Sequence, residues 1–107
     1  MAKIYLKAHK TEHGDMIAMC DEKMLGRVYS DKKTGTTLDL DKYRDFYEGA
    51  LVYPKDAVDT LLGADIYTCN IVGEDSVGAA IKAGLATDSD IKAIGGVPSL
   101  QVYKIIQ

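Results

Sequence analysis

The sequence predicts an α+β fold: a two-layer sandwich with a small antiparallel or mixed sheet and its helices packed mainly on one face. Three observations point there. The N-terminal segment alternates apolar and polar residues with period two. An amphipathic stripe bounded by Pro54 and Gly63 has helical spacing. Strands and helices follow one another without strict alternation, which disfavours an all-parallel sheet. The 107 residues fit a single domain, 1–107, and with 47% apolar and 27% charged residues the composition is that of a globular chain rather than a disordered one.

In Lys3–His9, Ile4, Leu6 and Ala8 fall on one face and Lys3, Tyr5, Lys7 and His9 on the other, as in a half-buried strand. Thr11-Glu12-His13-Gly14-Asp15 supplies turn residues before a second apolar run, Met16–Cys20, so the two runs read as an antiparallel hairpin. Asp21–Gly26 reads as a short helical turn stopped by Gly26, with a short strand at Val28-Tyr29. Asp31–Gly35 is a solvated turn, and Thr36–Leu40 a further short strand with Leu38 and Leu40 inward. Asp41–Tyr47 is a loop or single helical turn carrying Tyr43, Phe46 and Tyr47.

Pro54 suits the first position of a helix, Asp56 its first turn, and Ala57, Val58, Leu61 and Leu62 form the apolar stripe that Gly63 ends. Ile66–Ile71 is strand-like. A second helix runs from about Gly73 to Ala83 with Glu74 and Asp75 early, Lys82 late and Gly84 past its end, a charge order that complements the helix dipole. Thr87-Asp88-Ser89-Asp90 reads as the cap of a short helix holding Ile91 and Ile94, terminated by Gly95-Gly96, and Leu100–Ile106 as the closing strand.

Charge is unevenly placed. Residues 1–35 carry seven Lys/Arg against five Asp/Glu; residues 36–107 carry six against eleven. A net charge of −3 argues against nucleic-acid binding over the whole surface and leaves a local basic face near the N-terminus. No apolar run approaches the roughly 20 residues of a membrane-spanning helix, and the N-terminus carries no apolar signal core, so a cytoplasmic location is expected. Cys20 and Cys69 read as buried free thiols; a bridge requires Cα atoms within about 7 Å.

Candidate site residues form five groups. On the face of Lys3, Tyr5 and Lys7, cations flank a ring, as in sheets that stack RNA bases and meet phosphates. Cys20, Asp21 and Glu22 join a thiol to two carboxylates, although negative neighbours favour the neutral thiol and the carboxylates suit a turn cap. At the strand-to-helix junction of Asn70, Gly73 and Glu74, free N–H groups invite an anion while the acids repel one. Phe46 and Tyr47, near Tyr43 and Tyr53, form the main aromatic concentration, and Gly96 and Pro98 lie in a turn-forming joint. There is no Cys-x-x-Cys or His-x-x-x-His, so no metal or cofactor is expected.

Four stretches are similar to motifs of one family. Cys20-Asp21-Glu22-Lys23-Met24-Leu25-Gly26 resembles Cys-Asp-x-x-Leu-Leu-Gly, and Phe46-Tyr47-Glu48-Gly49 resembles Phe-Tyr-x-Gly. Asn70–Val77 with Gly84-Leu85 resembles Asn-Ile-Val-Gly-Glu-x-x-Val and its trailing Gly-Leu. Gly96-Val97-Pro98-Ser99-Leu100-Gln101 resembles Gly-Val-Pro-His-Ala-Gln, with Ser99 and Leu100 in place of His-Ala. Together they resemble the archaeal family called domain of unknown function 424. The resemblance implies a small cytoplasmic two-layer α/β sandwich with no established activity and a loose association with RNA.

Two functional readings follow, with a structural one beside them. The leading expectation is a non-catalytic binding module attached to RNA or a ribonucleoprotein, with Lys3, Tyr5, Lys7, Asn70, Gly73 and Pro98 as contacts. The alternative is a small thiol- or carboxylate-dependent enzyme built on Cys20, Asp21 and Glu22. In the structural reading the motifs serve turns, and a homodimer forms through the Tyr cluster.

Overall fold

The structure, a computed structural model, describes residues 2–103. Eight strands and three α-helices follow in the order β1 (Ile4–Thr11), β2 (Gly14–Asp21), β3 (Val28–Ser30), β4 (Thr37–Asp39), α1 (Arg44–Tyr47), β5 (Ala50–Val52), α2 (Pro54–Gly63), β6 (Ile66–Val72), α3 (Glu74–Lys82), β7 (Lys92–Ile94) and β8 (Val97–Tyr103). Six strands form one sheet in the order β5-β1-β2-β6-β8-β7, and β3 pairs with β4 in a separate two-stranded sheet. In the main sheet only β2–β6 is parallel. The pairings therefore point β5, β2, β6 and β7 the same way. Helix α2 connects β5 to β6 across β1 and β2, and α3 leads from β6 towards β7 across β8.

Both crossover helices cover the same sheet face. Ile4, Leu6, Ile17, Met19, Cys69, Ile71 and Leu100 project from the strands to meet Ala57 and Leu61 of α2 and Val77 and Ala80 of α3. Fully burying one such Ile or Leu contributes about 1.5–3 kcal/mol. Truncating Leu61 to Ala would cost roughly 2–5 kcal/mol. The opposite face holds a second cluster, in which Ala18, Cys20, Val72 and Val97 pack against Leu40 and Tyr47. The β3–β4 hairpin and α1 cover this side. Ile17–Cys20 is buried at every position because β2 has a layer on each face, which is why it reads as a continuous apolar run.

Local chemistry accounts for the helix ends. Pro54 begins α2, where its missing N–H costs no bond. At the far end of α3, Gly84 takes φ +80°, its N–H donates to the Ile81 carbonyl, and the Leu85 N–H donates to that of Ala80. That is the paired-bond, left-handed stop glycine allows.

The structure departs from the sequence reading at five points. The helix expected at Ile91–Ile94 is absent: a single 3₁₀ turn, Asp88–Asp90, is followed by strand β7. Gly95 and Gly96, with φ +57° and +81°, form the two-residue turn of a β7–β8 hairpin rather than a helix stop. Positive φ at both central residues is what such a turn needs to match strand twist. Consequently β8 starts at Val97, three residues before the expected Leu100, and the expected end at Ile106 lies outside the described residues. Strand β5, Ala50–Val52, is too short to show a period in the sequence. Ala8, expected inward, is exposed: β5 pairs only with Ile4–Leu6, so Ala8 lies on the open edge of the sheet beside buried Ile17.

Candidate functional site

Three of the four motif stretches meet at one end of the sheet. Cys20 pairs with Val72, Val72 with Ser99, and the Gly73 N–H donates to the Pro98 carbonyl over 2.9 Å. Asp21 organises this meeting. Its carboxylate, 1% exposed, accepts bonds from the backbone N–H of Asp75 (3.1 Å), the N–H of Ser76 (2.8 Å) and the Ser76 hydroxyl (2.7 Å). Helix α3 begins after Gly73, which has no side chain to cap it, so the capping carboxylate comes from a strand 54 residues earlier. Gly73 is needed twice over. Its φ of +105° suits glycine, and a Cβ there would run into the Asp21 carboxylate, within 2.6 and 2.7 Å of its oxygens. With a carboxylate already on these N–H groups, the junction of Asn70, Gly73 and Glu74 has no vacancy for an anion. Asn70 itself is a mid-strand residue opposite Ala18 and Gln101, not a cap, and Glu74 is the exposed first residue of α3.

The Cys20-Asp21-Glu22 run is divided by the fold. Cys20 is fully buried against the second cluster, Asp21 caps α3, and Glu22 is exposed in a 3₁₀ turn. Burial, and then the neighbouring Asp21 charge, push the Cys20 thiol up to about 12. A thiol so protonated and enclosed offers little thiolate for attack. Tyr47 is likewise raised to about 12, by burial and then by Cys20, and Cys69 to about 11 by burial. Cys20 and Cys69 are both free thiols on opposite faces of the sheet, each in its own cluster, so side-chain direction excludes a bridge between them.

The face of Lys3, Tyr5 and Lys7 is half-buried rather than open. Lys7 Nζ donates to the Asp45 carbonyl at 2.6 Å, Lys3 Nζ lies 5.3 Å from the Tyr53 ring centroid, and Phe46 stacks on His9 with centroids 4.7 Å apart. Helix α1 thus lies over this part of β1. The aromatic concentration is split in the same way: Tyr47 is buried, Phe46 packs on His9, and Tyr43 and Tyr53 remain exposed beside Lys42 and Lys3. Gly49, closing the Phe-Tyr-x-Gly stretch, passes against the Leu6 carbonyl, where a Cβ would collide.

On the sheet face opposite α2 and α3, the turn before β4 and the β7–β8 hairpin enclose a polar cleft of about 650 Å³. Its lining includes Thr34, Thr36, Lys92, Ser99, Gln101 and Tyr103. Tyr103 is 68% exposed, and its hydroxyl lies 3.4 Å from Gln101 Oε1. Ser99, standing where the resemblance places a His, donates to the Lys92 carbonyl. Asp90 also borders the cleft, but its carboxylate accepts from the Thr87 N–H at 2.9 Å in a capping box. Directly opposite Tyr103 on the same face, Thr68 is 8% exposed, and its hydroxyl has no hydrogen-bond partner among the described residues. Most of these residues escaped the sequence reading. Val97, Ser99, Gln101 and Tyr103 do alternate on one face, but the pattern is visible only once β8 starts at Val97. Lys92 falls within the short helix that the sequence suggests around Ile91 and Ile94 and is in strand β7 instead. Pro98 points the other way, and Gly96 serves the turn.

The family of proteins of unknown function DUF424 matches residues 8–105. The chain belongs to that family. A crystal structure of an uncharacterized conserved protein from Methanopyrus kandleri is similar to it at 30% identity and a TM-score of 0.82, over 95% of this chain and 91% of that one. No curated protein matches the chain. Among the described residues no helix is long and apolar enough to cross a membrane, and no cluster of His, Cys, Asp and Glu is placed to hold a metal ion.

Proposed function

We propose that this DUF424 protein is a non-catalytic binding module that takes single-stranded RNA in the polar cleft between the β3–β4 turn and the β7–β8 hairpin, in the cytoplasm. The observation that carries the reading is the exposed Tyr103 ring beside the Gln101 amide and Lys92 on one sheet face. A ring stacks an unpaired base, an amide meets a base edge, and an ammonium meets phosphate. Lys32 and Lys33 are exposed in the turn that also presents Thr34 and make that turn basic. The chain's acidic balance restricts such binding to a local surface. This moves the contact surface from Lys3, Tyr5 and Lys7, which are engaged within the chain, to β7 and β8.

Binding of labelled single-stranded RNA across a salt series tests it. Affinity should fall with salt, and Tyr103→Ala should weaken it roughly 5- to 150-fold, the worth of one stacked base. Lys92→Ala should flatten the salt slope, while Lys3→Ala should leave affinity unchanged. A salt-independent baseline, or equal losses from Lys3 and Tyr103 variants, refutes the assignment.

A further inference from the structure

The helix face carries an open groove between α2 and α3, about 570 Å³, lined in its apolar part by Pro54, Val58, Gly78, Ala79 and Ile81. Gly78 lies mid-helix in α3 and is exposed. Its φ is not positive, and a Cβ added there would meet nothing within 4 Å, so neither backbone conformation nor packing inside the chain calls for glycine. Glycine is nevertheless the poorest helix former after proline. Its remaining use is to let another backbone come close.

The charges on α3 say which. Glu74 and Lys82 lie four residues either side of Gly78, on one exposed stripe, and neither side chain has an ion-pair partner among the described residues. This order is self-complementary when read in reverse. We infer that a second copy of this chain occupies the groove, with the two α3 helices crossing antiparallel at Gly78. Each Glu74 then faces the other copy's Lys82 across a two-fold axis, whereas a parallel crossing would oppose like charges. Three acids, Asp59, Glu74 and Asp75, line the groove against two lysines, Lys55 and Lys82, so no net positive charge draws a polyanion to it. The contact leaves the polar cleft on the opposite sheet face open in both copies, so it stands independently of the RNA reading.

Sedimentation equilibrium over a wide concentration range tests this. The wild type should pass from monomer to dimer. Gly78→Gln should weaken association at least tenfold with thermal unfolding of the monomer retained, since its side chain enters open space. Glu74→Lys should weaken association as much, with a small fall in the monomer's melting temperature because it opposes the α3 dipole. Lys82→Glu should behave likewise. Mixing Glu74→Lys with Lys82→Glu should restore a dimer containing one of each, because only that combination opposes unlike charges. A wild type that stays monomeric up to millimolar concentration, or a dimer that survives all three substitutions, overturns the proposal.

Discussion

Replacing Asp21 by Ala tests how the family motifs are joined. The substitution removes the acceptor for the N–H of Asp75, the N–H of Ser76 and the Ser76 hydroxyl. Losing an N-cap costs about 1 kcal/mol, and stranding a buried donor adds about 1–3 kcal/mol. Ser76 is fully buried, so its freed groups find no water. The sum is about 2–4 kcal/mol, a large part of the 5–15 kcal/mol stability of an ordinary domain. Asp21→Asn keeps one carbonyl oxygen for Ser76 but turns an NH₂ towards a donor, for a loss of about 1–2 kcal/mol. Gly73→Ala adds backbone strain of about 1–3 kcal/mol, since φ +105° and ψ 155° suit glycine alone, to a clash with the same carboxylate. In the Asp21→Ala background the clash is gone and only the strain remains, so the two losses should fall short of additive by 1 kcal/mol or more. Urea unfolding followed by circular dichroism measures all four corners of this cycle. If Asp21→Ala costs less than about 1 kcal/mol, or Gly73→Ala costs the same in both backgrounds, the cross-strand cap does not organise the junction.

Other consequences follow from the same packing. Because Cys20 and Cys69 are raised to about 12 and 11 from an ordinary 9, the folded state keeps protons that the unfolded chain releases. Their contribution is therefore full below pH 9 and is lost as pH climbs towards 11–12, at up to about 1.4 kcal/mol per pH unit for each thiol. Melting temperatures between pH 8 and 10.5 should fall accordingly; a flat profile contradicts their burial. Thiol titration after oxidation and denaturation should return two free thiols, and any loss of both would show a bridge the opposed side-chain directions exclude. Thr68→Val removes a buried hydroxyl with no partner among the described residues, at nearly constant shape, so denaturant midpoints should stay level or rise by the equivalent of about 1 kcal/mol. A clear drop would mean the hydroxyl has a partner. Gly49→Ala, pressed against the Leu6 carbonyl and 2.7 Å from Lys7 Cβ, should destabilise by about 1–3 kcal/mol in urea titration, and a neutral result would place β5 further from β1.

Much of this architecture was legible in the chain because its signals are local. The period-two hairpin of β1 and β2, Pro54 at the start of α2, and the acids-first, Lys82-last order of α3 with Gly84 beyond it all express backbone geometry within a few residues. The four motif stretches likewise carried the family. Tertiary structure alone decided the rest. Gly95-Gly96 ends a helix or turns a hairpin with equal local ease, and pairing of β7 with β8 settled it. Asp21 looks like a turn cap from its neighbours and caps a helix 54 residues away instead. Lys7 and Lys3 look like free cations and are engaged by Asp45 and Tyr53, while Tyr103 becomes the exposed ring. Capping, covering and cleft formation are all set by which distant segments share a face, and that depends on strand order, which no local pattern encodes.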